Sequence, residues 1–281
     1  MKMKKSVLAL ALAFGVTSAF AQDLTSKKGE PILPEAGDWA IGIDASPFLN
    51  YAGNFFGKTA TNKAPRFNFL NTDSSGASIM QIVGKYFVDE STAYRGGVRL
   101  GFGSTKTTTL VQQVGQSDPN VTVENTVKNS GNGIYLSAGL EKRKGKTRLQ
   151  GYYGGELGIG LSGSKTTNTY GNALTSTNQN GGAPRTLSVK QGSTFMLGIR
   201  GFIGVEYFVL PKISLGGEFG WGLGLSSTGQ GEKTTEQWDT GTNAVKPITS
   251  KTGKVSMFGI DTDNNNSVFG PAASLRMNFH F

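Results

Sequence analysis

Residues 147–163 read TRLQGYYGGELGIGLSG, and this stretch decides the fold. Leu149, Gly151, Tyr153, Gly155, Leu157, Ile159 and Leu161 share one parity. Arg148, Gln150, Tyr152, Gly154, Glu156, Gly158 and Gly160 share the other. Alternation with period two is the signature of a β-strand. The run is longer than the ~5–6 residues of an ordinary globular strand. It also exceeds the ~9–11 residues with which a tilted strand crosses a bilayer. One parity is largely apolar; the other is glycine, polar groups and charge.

The same rhythm predicts strands over 38–51, 78–88, 92–104, 133–142, 193–208, 212–226 and 268–281. In 92–104, Tyr94, Val98, Leu100 and Phe102 alternate with Arg95, Gly97, Arg99 and Gly101. In 193–208, Phe195, Leu197, Ile199, Ile203 and Val205 alternate with Arg200, Phe202 and Glu206. In 38–51, Trp39, Ile41 and Ile43 oppose Asp44. The stretch 78–88 is the least regular, because Ile79, Val83 and Phe87 interrupt its polar parity.

The links between these strands alternate in length. Residues 89–91, 142–146 and 210–211 are short turns, whereas the other links run to about 25–40 residues rich in Thr, Ser, Asn, Gly and Lys, the pattern of outer-membrane barrels. The predicted fold is therefore all-β: an eight-stranded antiparallel up-and-down transmembrane β-barrel, with short periplasmic turns and four long extracellular loops. In hydrocarbon every backbone N–H and C=O must find an internal partner, and a closed sheet provides one for each. A soluble barrel or sandwich would use the apolar parity as its core and put the charges in water. That alternative accounts neither for the strand length nor for the alternation of short and long links.

An eight-stranded barrel has an interior just wide enough to be filled by side chains. The inward parity offers Lys85, Arg95, Arg99, Arg148, Arg200 and Arg276, with Asp44, Glu141, Glu156, Glu206 and Glu218. Buried ions are tolerable only when paired. The near-balance of sign predicts a plugged, salt-bridged lumen, not a pore selective for one charge.

Residues 1–21 are expected to be a signal peptide: Lys2, Lys4 and Lys5 precede an apolar stretch, and Ala19-Phe20-Ala21 has the small-x-small form of a cleavage site. Residues 22–37, with Pro31 and Pro34, are expected to form a periplasmic leader before a barrel domain over 38–281. The chain carries 41 glycines, no cysteine and a formal charge of +9. Without cysteine no disulfide can form. The basic residues are scattered, so the charge is read as solvation and attraction to anionic lipid, and nucleic acid is not expected as a partner. Mean hydropathy is −0.24. No stretch after the leader has the ~18 consecutive apolar residues of a helical span.

The last predicted strand ends Leu275-x-Met277-x-Phe279-x-Phe281. This resembles the C-terminal signature of outer-membrane proteins, and the chain as a whole looks like the small eight-stranded barrels of the OmpA, OmpX and OmpW type. The resemblance implies that Phe279 and Phe281 are read by the barrel-assembly machinery. It also implies a home in the outer membrane among lipid and lipopolysaccharide.

Catalytic signals are weak. The sole histidine is His280, on the inward parity near the last residue, and a Ser-His-Asp triad elsewhere would need another. No enzyme activity and no cofactor are expected. Asp261, Asp263 and Asn265 resemble the opening of a calcium loop, but its twelfth position would be Ala272, so an ordinary turn is the expectation. Three roles fit. The first is a structural or surface-interacting barrel acting through its loops. The second is an accessory subunit of a larger outer-membrane complex, docking through Phe55, Phe56, Phe67 and Phe69. The third is a narrow channel for small solutes.

Overall fold

The computed structural model describes residues 24–58, 82–262 and 274–281. Twelve strands stand among them: β1 Trp39–Asp44, β2 Ile82–Asp89, β3 Thr92–Gln112, β4 Thr122–Lys144, β5 Leu149–Thr169, β6 Arg185–Lys190, β7 Thr194–Leu210, β8 Ile213–Thr228, β9 Glu232–Asp239, β10 Ala244–Lys251, β11 Val255–Thr262 and β12 Ser274–His280. One helix, α1 Ser46–Phe56, follows β1.

The pairing is antiparallel throughout and returns on itself. β1 pairs with β2, β2 with β3, β3 with β4, and β4 with β5. β5 then pairs with β7, β7 with β8, β8 with β12, and β12 with β1. β11 lies along the far half of β8, with Val255 opposite Thr228 and Thr262 opposite Trp221, and β12 lies along its near half. The two therefore occupy one place in the ring, end to end. β6, β9 and β10 extend the sheet outward from the far half of β5.

Three expectations are corrected here. The strand predicted over 38–51 stops at Asp44, and the chain turns into α1. Pro47 has no N–H for a ladder and suits the first turn of a helix. Phe48, Tyr51, Ala52 and Phe55 recur at helical spacing, a period the alternation reading passed over. Second, the long links after the predicted strands 92–104 and 212–226 are mostly sheet, and the link after 147–163 contains strand near both of its ends. β3 and β4 continue together to Gln112 opposite Thr122, β5 runs on to Thr169, and β6, β9, β10 and β11 are strands. Third, twelve strands stand among the described residues, four of them, β6, β9, β10 and β11, beyond the eight predicted positions. The threonines of 105–109 and 166–169 favour extended backbone, and beyond the apolar zone both faces meet water. The ladder therefore continues where the alternation disappears. Signal residues 1–21, Phe67 and Phe69, and the calcium candidates Asp263 and Asn265 lie outside the described residues.

The turns at the near end are tight. The carboxylate of Asp89 accepts hydrogen bonds from the N–H and hydroxyl of Ser91, both at 2.7 Å. Gly145 adopts φ +126°, a conformation open to glycine, between β4 and β5. The leader folds against this same end. Its Ile32 is buried, and the Ile32 carbonyl accepts from the N–H of Lys212 in the β7–β8 turn.

Candidate functional site: the charged interior of the ring

The two faces of the ring are inverted relative to a soluble protein. Leu157, Ile199 and Ile203 point outward and are 50%, 54% and 63% exposed. Glu141 and Glu206 point inward and are fully buried. The inner face carries glycine wherever a long side chain must lie across it. A Cβ placed on Gly220 would stand 2.5 Å from Cζ of Arg200, so this position has no room for alanine unless the arginine moves.

The interior is stacked in layers from the near end. Phe87 and Phe208 flank His280, with ring centroids 5.6 and 5.1 Å from the imidazole. Phe87, which interrupts the polar parity of 78–88, is thus part of an apolar floor, and Val83 is buried higher up, opposite Gly97 and beyond Lys85.

Above the floor, Glu206 accepts from Arg143 Nη2 at 2.5 Å, from Asn278 Nδ2 at 2.6 Å and from the hydroxyl of Ser214. Glu141 meets Lys85 at 2.9 Å and Arg143 at 2.9 Å. In the next layer Arg95 grips Glu218 with both terminal nitrogens, at 2.6 and 2.9 Å. Glu218 also accepts from Arg200 at 2.8 Å and lies 3.4 Å from Arg276. Glu156 bridges Arg95 at 3.2 Å and Arg200 at 3.0 Å. The face of Phe202 lies 4.1 Å under the Arg95 guanidinium, an added cation–π contact. Charge-assisted and bidentate bonds of this kind are the strong ones.

Of the predicted lumen charges, the structure brings together Lys85, Arg95, Arg200, Arg276, Glu141, Glu156, Glu206 and Glu218. Asp44 is placed by its backbone opposite Arg276. Arg148 is corrected: it sits in the β4–β5 turn, where its guanidinium donates to the carbonyls of Phe208 and Val209 instead of a carboxylate. Arg99 lies inside but apart from the network, higher on β3. Arg143 was missed, because Lys142 to Lys146 reads as a basic turn. The signal was present: Arg143 is two residues beyond Glu141, hence on the same face of a strand that continues to Lys144. Asp261 is also reassigned. It stands in β11 opposite Gly222, level with Arg200 and Glu156, not at the start of a loop.

The aromatic side chains near the turns divide between the two faces of the ring. Trp39, Tyr86 and Tyr94 face outward near the turns, with Trp39 and Tyr86 centroids 4.9 Å apart. Phe87 and Phe208 face inward.

Ser214, His280 and Glu206 converge as a catalytic trio would, but a relay needs serine and carboxylate on opposite nitrogens of the imidazole. Here Ser214 Oγ and Glu206 Oε1 both approach Nε2, at 3.2 and 3.4 Å. The arrangement bonds the floor together.

Above the charged layers the interior opens into a cavity of about 600 Å³, lined by Arg99, Tyr135 and Met196 and by the glycines and hydroxyls of β3, β4 and β5.

No model of a known protein family matches the chain, and no curated protein matches it. Among solved structures, the outer membrane protein OprG from Pseudomonas aeruginosa is similar to it at 11% identity, over 89% of this chain and 98% of that one, with a TM-score of 0.33. That likeness is loose, and the inverted faces of the ring stand without it.

Proposed function

We propose that this chain is a non-enzymatic outer-membrane barrel of eight staves. It serves as a plugged wall element that carries a strand-built platform outside the cell. The observation that carries the reading is the inversion of the two faces. Apolar side chains cover the outside of the ring while paired charges fill it, and lipid is the solvent that suits such an outside. The dimension agrees. From Leu149 to Leu161 on β5 the outward apolar parity spans ~40 Å along the strand, or ~30 Å once the strand tilts by ~40°, close to the thickness of a hydrocarbon core.

The layered interior supports a wall in preference to a channel. Its floor of Phe87, Phe208 and His280, under two tiers of paired ions, is buried throughout. The platform is the far part of β3, β4 and β5 with β6, β9 and β10; lipid and lipopolysaccharide are its immediate surroundings. A role as accessory subunit draws specific support from α1, whose Phe55 and Phe56 are strongly exposed.

Electrophoresis in cold SDS tests the barrel. A closed sheet has no edge from which to open, so unboiled and boiled samples should run at two mobilities. One mobility, with the protein in the soluble periplasmic fraction, overturns the membrane reading. Planar-bilayer recording tests the plug: large, steady openings would replace the wall with a porin.

A further inference from the structure

The strand register places Arg99 in surroundings unlike those of every other inward cation. Arg99 stands opposite Tyr135 on β4. Tyr135 is opposite Gly160, Gly160 opposite Met196, and Met196 opposite Ser226. That level of the wall holds a cation, a phenol, a thioether and a hydroxyl, and no carboxylate. One step below, Gly97, Ser137, Gly158, Gly198 and Gly224 form a level without charge. One step above, Gly101 and Gly133 are followed by Ser162, Thr194 and Thr228. The carboxylates of the charged layers are saturated by Arg95, Arg143, Arg200 and Lys85 lower down. Among the described side chains no carboxylate pairs with Arg99, although it is half-buried.

The cavity above the network is where this guanidinium faces open volume. At about 600 Å³ it has the size of a small-molecule pocket, and glycines at 101, 103, 131 and 133 keep one wall free of side chains. A cation in a partly dry site, ringed by hydroxyls and without a counter-ion among the described side chains, is matched by an anion small enough to enter. A guanidinium presents two parallel donors, the geometry of a carboxylate.

We propose that this extracellular vestibule binds a small organic carboxylate, held by Arg99 and flanked by the hydroxyls of Ser162 and Ser164. The proposal rests on the barrel reading above and adds a ligand class to it. Because the floor is closed, the vestibule captures its ligand without passing it on.

Calorimetric titration of the purified barrel in detergent micelles with sodium butyrate tests the site. Butanol serves as the neutral control and inorganic phosphate as the rival oxyanion. Butyrate should bind saturably, and Arg99→Gln should weaken it about tenfold, the worth of one charge-assisted bond. Arg148→Gln, in the turn at the opposite end, should leave it unchanged. Gly133→Leu is the second variant: a Cβ there meets open space, so the longer side chain fills the vestibule without disturbing the wall, and should remove binding too. Absence of saturable butyrate binding overturns the proposal, as does equal binding by wild type and both variants. Phosphate displacing butyrate at lower concentration, or butanol binding as tightly, overturns the carboxylate assignment. Each sample is first run in cold SDS. Two mobilities with no butyrate binding count against the vestibule alone, whereas a single mobility in the wild type counts against the barrel.

Discussion

Residues 92–102 and 103–112 of β3 are one continuous strand with two burial patterns. The first half alternates strictly. Tyr94, Val98, Leu100 and Phe102 face outward, while Arg95 is buried within. The second half, GSTKTTTLVQ, has no such order, yet it pairs residue for residue with β4 as far as Gln112 opposite Thr122. Hydrogen bonding is the same in both halves; the surroundings are not. In the first half, on the proposed membrane reading, one face meets lipid and the other a closed interior, so each position has a prescribed chemistry. In the second, both faces meet water, and only a preference for extended backbone remains.

The comparison can be broken in three ways. The largest effect is expected from a charge pair. Glu218→Ala leaves Arg95, Arg200 and Arg276 around a missing partner, which should cost ~3–5 kcal/mol. Glu236→Ala, which removes the partner of Arg185 at 2.7 Å in the far sheet, should cost under ~1 kcal/mol. Urea titration in lipid vesicles, read by tryptophan fluorescence, measures both; equal losses would end the distinction between the halves.

Next comes the outward face. Leu157→Arg places a cation in the middle of the apolar band and should cost ~2–4 kcal/mol. Thr107→Arg, on the far half of β3, should stay within ~0.5 kcal/mol. The fraction recovered in the slow- or fast-running folded form in cold SDS reports the difference. A tolerated Leu157→Arg would mean that this face does not meet lipid.

The smallest effect belongs to the far sheet alone. The N–H groups of Gly241, then Thr242, hold the Asp239 carboxyl below the usual carboxylate range. A lowered value means that the ionised form favours the folded turn. Its contribution is present above the unfolded pKa of ~3.9 and is lost as pH falls through the lower folded value. The Gly241 amide resonance should therefore shift at a pH below that of a free aspartate, and Asp239→Ala should abolish the transition while leaving the two mobilities of the ring intact. A shift at the ordinary aspartate pH would show that the turn is open in solution.

Much of the interior was legible residue by residue. Arg95, Arg200, Glu156 and Glu218 were identifiable because parity alone puts a charge on the face opposite leucine and isoleucine. Arg143 was not, since the basic string around it resembles a turn. The floor built by Phe87 and Phe208 was not legible either, because sequence distance from a turn does not reveal that two rings close over the same histidine. The far strands were hidden for the reason β3 illustrates: water on both sides removes the alternation that marks a strand.

By itself, the sequence determined the antiparallel ladder and the face of each residue in the apolar zone, because a pleated strand turns successive side chains to opposite sides and the two sides carry opposite chemistries. It also determined that the inward ions must be nearly balanced, since unpaired charge could not be buried. Which carboxylate meets which guanidinium was decided by the tertiary structure alone. The register around the ring sets the heights of Arg95, Arg143 and Arg200 relative to Glu141, Glu206 and Glu218, and it leaves Arg99 on a level with no acid among the described residues. Those heights depend on how far each strand slides past its neighbour when the sheet closes, a quantity that no single strand carries.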